Sequence, residues 1–139
     1  MKVFEPAVPY GALQISGGFD IIQTIKDGVL YQQFSKFADS SPFTFAEWSK
    51  YLHLSERTLQ RYETEKKKFD ISQSEKIVEI VLLYNRGLEI FGSKDKFNSW
   101  LATPNLYLKK MAPKDLLDTS FGITILKDEL TRIEYGILS

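Results

Sequence analysis

Cysteine is absent from this 139-residue chain, and histidine occurs once. The first absence removes disulfides, thiolate metal sites and a cysteine nucleophile, and fits a reducing compartment. The second leaves a histidine metal centre or a serine–histidine pair with almost nothing to build on. Excess charge is missing too, since 18 Lys and Arg against 18 Asp and Glu give a net charge of zero. A protein that coats nucleic acid is basic overall, so any contact with DNA has to come from a local patch. Long apolar runs are lacking. The longest, IVEIVLLY from Ile77 to Tyr84, contains Glu79 and is far below the ~18 residues that a membrane span needs. The opening MKVFEPAVPYGAL holds no apolar stretch followed by a cleavage site, so a soluble, cytosolic protein with no membrane partner is expected.

What is present is ordinary for a globular domain: 43% hydrophobic and 26% charged residues, enough for one domain or two very small ones. Residues 1–17, with Pro6, Pro9, Gly11 and Gly17, show no sustained period and predict an extended or disordered arm. From Gly18 the apolar spacing is helical. Phe19, Ile22 and Ile25 predict one short helix stopped near Gly28, and Leu30, Phe34 and Phe37 a second ending at Pro42. Thr44 and Glu47 form a capping-box pair for a third helix, which turns Trp48 and Leu52 inward. Ser55 caps a fourth, with Leu59 and Tyr62 inward. Ser72 is expected to open a long helix ending near Gly92. A short helix to Leu101, a loop punctuated by Pro104 and Pro113, and a last helix from Phe121 to Tyr135 follow. With no strand-like alternation, the expected class is all-α.

The stretch FTFAEWSKYLHLSERTLQRYE has helix–turn–helix spacing. Reading DNA requires long, polar, exposed side chains at the start of the second helix. Arg57, Gln60 and Arg61 fit, because arginine grips guanine and glutamine grips adenine with paired hydrogen bonds. Ser55 and Thr58 suit phosphate oxygens. Between Arg57 and Lys68 five basic residues stand against two acidic ones, a local charge of +3. Lys66, Lys67 and Lys68 either touch phosphates or are simply solvated near a helix end. The turn carries His53 where glycine is common, which histidine tolerates at positive φ. Gly17-Gly18 lacks the Lys and Ser or Thr of a phosphate loop. Asp115 and Asp118 read as a solvated helix face. No catalytic residue, metal ligand or cofactor is therefore expected.

The C-terminal part is more specific. Trp100-Leu101, Pro104-Asn105, Leu108, Pro113, Leu116-Leu117-Asp118-Thr119, Gly122 and Arg132-Ile133-Glu134-Tyr135-Gly136 together closely resemble the toxin-binding domain of the Xre/MbcA/ParS-like antitoxins. Upstream, Arg57-Thr58-Leu59-Gln60-Arg61, Ser74 and Phe91-Gly92 resemble that family's Xre-type reader, with Tyr62 in place of a frequent Arg and acidic Glu63 and Glu65 behind it. The resemblance spans about 19–139. It implies an N-terminal Xre-like helix-turn-helix domain (18–92) followed by a small helical toxin-binding domain (93–139). It also implies a type II toxin–antitoxin system in a bacterial cytoplasm, with a RES-type toxin that consumes NAD⁺ as partner. The antitoxin would cover the toxin's active site and repress the operon by binding operator DNA, with no cofactor and no enzymatic activity of its own. The alternative is a stand-alone helix–turn–helix regulator without a toxin.

In the last helix, Ile123, Leu126, Leu130, Ile133 and Ile137 form a narrow apolar stripe. Arg132, Glu134 and Tyr135 lie near the chain end and include the residue types enriched in interface hot spots. Gly136 is expected to release the chain from the helix, so that Ile137 and Leu138 project as a plug. These five, with Gly136 and Asn105, are the expected toxin contacts. Ten Phe, seven Tyr and two Trp are generous for so short a chain, and a homodimer is expected to use part of that surface.

Overall fold

The computed structural model of the chain describes residues 18–138. The expected N-terminal arm, 1–17, and Ser139 lie outside them, as do the side chains of Gly18, Phe19 and Leu138. Among the described residues the architecture is all-α: α1 (Gly18–Asp27), α2 (Tyr31–Ser40), α3 (Phe45–Leu52), α4 (Glu56–Glu65), α5 (Ile71–Phe91), α6 (Lys94–Ala102) and α7 (Ser120–Leu138). Their β-pairing is confined to two isolated bridges, Leu30 with Lys68 and Asn105 with Met111. The described residues form two compact units, 18–81 and 82–138.

The first unit is built around aromatic side chains. Trp48 on α3 takes Phe34, Phe37, Phe43 and Tyr51 edge-on, with ring centroids 4.9 to 5.8 Å apart. Edge-to-face contact sets the positive rim of one ring against the negative face of another, which adds attraction beyond area burial. α3 starts where the sequence asks it to: the Thr44 hydroxyl accepts from Glu47 N at 3.1 Å, and the Glu47 carboxylate accepts from Thr44 N at 2.9 Å. α2 packs Tyr31, Phe34 and Phe37 inward. Two expected apolar positions turn out differently. Leu30 precedes α2 and is exposed; the bridge facing it to Lys68 is held by its neighbours, Tyr31 N donating to Lys67 O at 3.2 Å and Phe69 N to Val29 O at 2.9 Å. Ile22 is exposed while Ile21 and Ile25 are half-buried, so α1 is rotated from the face that its spacing suggested.

α5 opens earlier than expected, at Ile71. The Asp70 carboxylate accepts from Gln73 N at 2.9 Å and does the work expected of Ser72. Ser74 is fully buried inside the helix, and its hydroxyl accepts from Val29 N at 2.9 Å.

In the second unit, Gly87 allows α5 to meet the Phe97 ring. A Cβ at Gly87 would lie 2.0 Å from Phe97 Cζ. Phe97 stacks on Trp100 with centroids 5.8 Å apart, and Trp100 is half-buried. The segment after α6 is not a plain loop: it contains 3-10 turns at Leu106–Leu108 and Pro113–Leu116. Asp115 belongs to the second of these turns rather than to a helix face. Thr119 then caps α7, its hydroxyl accepting from Gly122 N at 2.9 Å. A Cβ at Gly122 would sit 2.0 Å from the Leu116 carbonyl oxygen, so only glycine lets this turn close on the helix. Ile123, Leu126 and Leu130 are fully buried. Ile133 is half-buried, and Ile137, although in phase with them, is exposed.

Candidate functional site

α4 is held by its two ends. The Ser55 hydroxyl accepts from Thr58 N at 3.0 Å and donates to Thr58 Oγ1 at 2.9 Å. Before it, His53 occupies the left-handed region at φ 56°, as the turn requires. After it, Lys66 takes φ 52° and stops the helix. The Lys68 backbone lies in the bridge opposite Leu30, and the Lys67 ammonium lies over the Tyr62 ring at 5.6 Å. All three lysine side chains are nonetheless exposed. The run is thus both a helix stop and a cluster of positive charge.

On α4 itself, Leu59 is buried and Tyr62 half-buried against Phe69, with centroids 5.3 Å apart. Arg57, Gln60 and Arg61 are exposed, and their spacing brings them to one side of the helix. Of the three acidic residues on α4, Glu56 is exposed in the first turn and the other two are engaged. Glu63 accepts a hydrogen bond from the Tyr31 hydroxyl at 3.0 Å. Burial, and then this bond, push the Tyr31 phenol well above its ordinary range. Glu65 pairs with Arg61 at 3.4 Å. An exposed pair at this spacing contributes only about 0.3–0.5 kcal/mol, so Arg61 is available to a phosphate or a base. Arg57 makes no ion pair among the described residues.

The residues expected to meet a partner are distributed over the second unit. Arg132 spends its fork inside the chain. Its Nη2 and Nε donate to the Glu129 carboxylate at 2.6 and 3.1 Å, and its guanidinium lies 3.9 Å over the centre of the Tyr107 ring. Glu129 is nearly buried, and its hydrogen bonding pushes the Arg132 pKa further above the usual range. Glu134 lies 3.7 Å from Arg86, whose Nη2 also donates to Thr131 Oγ1 at 2.6 Å. Asn105 is half-buried and works as a loop former: its side chain accepts from Leu108 N at 3.0 Å and its backbone N donates to Met111 O at 3.2 Å. Tyr135, Gly136 and Ile137 are exposed. Gly136 does not release the chain, because α7 continues through it to Leu138. One glycine inside a helix costs only about 1 kcal/mol.

Sequence reasoning passed over Leu106, Tyr107, Phe121 and Ile125, all exposed. A signal was available: an apolar pair placed between turn-forming Pro104-Asn105 and Lys109-Lys110 has no helical stripe to join.

Two family models match the chain. The antitoxin Xre-like helix-turn-helix domain covers residues 20–81, and the antitoxin Xre/MbcA/ParS C-terminal toxin-binding domain covers 86–136. The chain belongs to the Xre/MbcA/ParS antitoxin family. A protein named antitoxin Xre from Yersinia enterocolitica is 27% identical over 128 residues, covering 91% of this chain and 86% of that protein. Another antitoxin Xre, from Photorhabdus laumondii, is 32% identical over 84 residues, 60% of this chain and 57% of its own length. The crystal structure of the M. tuberculosis MbcT–MbcA toxin–antitoxin complex contains a similar fold. It has a TM-score of 0.53 and 19% identity, and the match covers 69% of this chain and 85% of that one. The chain is therefore an antitoxin of a toxin–antitoxin system. No helix among the described residues is long and apolar enough to cross a membrane.

Proposed function

We propose that this antitoxin neutralises a RES-type, NAD⁺-consuming toxin by covering its active site, and that it represses its own operon by binding operator DNA as a dimer through α4. The observation that carries the DNA half is the exposed Arg57, Gln60 and Arg61 side on a helix whose Leu59 is buried and whose Glu63 and Glu65 are engaged by Tyr31 and Arg61. Replacing Arg57 or Arg61 by alanine is expected to cost ~1–3 kcal/mol of operator affinity each, if each meets a base. Fluorescence anisotropy on promoter DNA measures it, and unchanged affinity in both single variants and the double would sink the assignment. A monomeric mass in solution with operator binding intact would remove the dimer. Exposed Ile22 and Ile71 on the reader unit are apolar surface for that contact.

The toxin half is supported by the family of residues 86–136 and by the exposed last turn of α7. Tyr135 and Ile137 extend the helix beyond Ile133, the last residue of the stripe with partial burial. Deleting residues 135–139 removes no buried side chain among those described, so folding and operator binding are expected to survive while protection of cells co-expressing the operon's toxin is lost. Normal growth and normal NAD⁺ with the truncated chain would place the inhibitory contact elsewhere. A toxin-free operon would favour a stand-alone regulator instead.

A further inference from the structure

The second unit carries apolar surface on a side of α7 that its core does not use. Phe121, Ile125, Arg132 and Tyr135 recur at steps of four, seven and three residues, which keeps them on one side of a helix, away from buried Ile123, Leu126 and Leu130. Asp128 shares that side. Phe121 is 82% exposed and Ile125 41%. The 3-10 turn Leu106–Leu108 meets this side at Arg132, whose guanidinium lies over the Tyr107 ring. It turns Leu108 inward as an anchor and leaves Leu106 80% and Tyr107 70% exposed.

This turn is held in shape. The Asn105 side chain caps it, Lys110 N donates to Asn105 O at 2.8 Å, and the Asn105–Met111 bridge closes its base. Lys109 and Lys110 both adopt positive φ, 54° and 66°, a conformation that non-glycine residues keep only where surrounding bonds impose it. Tyr107 is braced by the Arg132 guanidinium, which the nearly buried Glu129 carboxylate fixes in turn. The knob is therefore rigid before any partner arrives, so little ordering entropy is lost on docking.

Resting on the antitoxin reading above, we infer that Leu106 and Tyr107 form a preformed knob that, with the Phe121/Ile125 side of α7, anchors the toxin. The knob seats in an apolar pocket rimmed by carboxylates. Three observations favour the toxin over other occupants. Every residue of the surface lies within 86–136, the stretch matched by the toxin-binding domain. Leu106 and Tyr107 are exposed side by side, as are Phe121 and Ile125 one turn apart on α7, and such paired large apolar side chains are uncommon on a surface that meets only water. The collar of the knob, Lys109 and Lys110, is exposed and basic, which calls for acidic groups on the partner. Anchoring by the knob is distinct from plugging by the last turn of α7.

The test uses the full-length antitoxin and the purified toxin of its own operon, with affinity measured by calorimetry. The L106S/Y107S double variant is expected to bind the toxin on the order of 30-fold or more weakly, the range of interface hot spots. Its circular dichroism, thermal midpoint and operator affinity should stay those of the wild type, since both side chains are mostly exposed. The L30S variant, altered at an exposed apolar residue ahead of α2, should bind the toxin as the wild type does. Toxin affinity of the double variant within about twofold of wild type, as measured against the hot-spot range, overturns the knob and leaves the antitoxin reading standing. Wild-type protein that does not bind the toxin at all overturns both. Deleting 135–139 should abolish inhibition yet leave most of the affinity; a truncated chain that no longer binds would move the anchor to the tail and overturn the knob.

Discussion

Replacing Trp48 by alanine is expected to cost the reader unit about 3–5 kcal/mol, the range for deleting a large buried aromatic side chain. The ring is 2% exposed and is met edge-on by four other aromatic rings from α2, α3 and the segment between them. Alanine would leave a void that these rigid neighbours cannot collapse to fill. Small domains have only about 5–15 kcal/mol of stability in total, so operator binding should fail together with folding. Phenylalanine at the same position should cost much less. It keeps an aromatic ring among the four edges, and it removes the indole N–H, which is buried without a hydrogen-bond partner among the described residues. An unmet buried donor carries a penalty of ~1–3 kcal/mol, and its loss offsets part of the lost volume. Urea unfolding followed by circular dichroism separates the two variants. Equal stabilities for alanine and phenylalanine would show that the aromatic cluster is not what holds the unit together.

Operator affinity should fall by up to ~10³-fold or more between 50 and 200 mM salt if a dimer makes about six phosphate contacts. The reason lies in the distribution of charge. The whole chain is neutral, so contact with DNA depends on the +3 stretch from Arg57 to Lys68, most of whose positive charge is the three lysines behind α4. Each phosphate neutralised there releases condensed counterions, and added salt opposes that release. Arg61 must also exchange Glu65, 3.4 Å away, for a phosphate or base. Anisotropy titrations at several salt concentrations give the slope directly. A shallow slope would mean that Lys66 to Lys68 serve only the helix stop and the bridge, and that DNA contact is not made by this face.

Local chemistry made much of this architecture legible in one dimension. A hydroxyl three residues before a glutamate can only help the backbone there by capping, so Thr44 with Glu47 marked the start of α3. Ser55 marked α4 and His53 the left-handed turn between them in the same way. Periodicity turned Trp48, Leu52 and Leu59 inward and gathered Ile123, Leu126 and Leu130 into one stripe, and all are buried. These signals involve neighbours within a turn or two, where covalent geometry fixes who meets whom. The toxin-binding domain was legible as a resemblance, carried by motifs such as Pro104-Asn105, Leu116 to Thr119 and Arg132 to Gly136.

Tertiary contact decided the rest. Spacing says which residues share a side of a helix, not what will cover that side, so Ile22 and Leu30 looked internal and are exposed. Asn105 looked like a contact residue and became the brace of a turn, because its partners, Leu108 N and Met111 O, are positioned only once the loop closes. Arg132 looked available until Glu129 and Tyr107 surrounded it; Tyr107 reaches it from another element, at a distance along the chain that no local rule spans. Gly136 illustrates the other limit. Its propensity argued for a stop, but a penalty of about 1 kcal/mol is too small to end a helix whose preceding turns are anchored by Ile123, Leu126 and Leu130. Gly122 carries the same propensity and proved indispensable for a different reason: the Leu116 carbonyl lies where a Cβ would be. Propensity acts on one residue at a time, whereas close approach and burial belong to pairs that only the folded chain brings together.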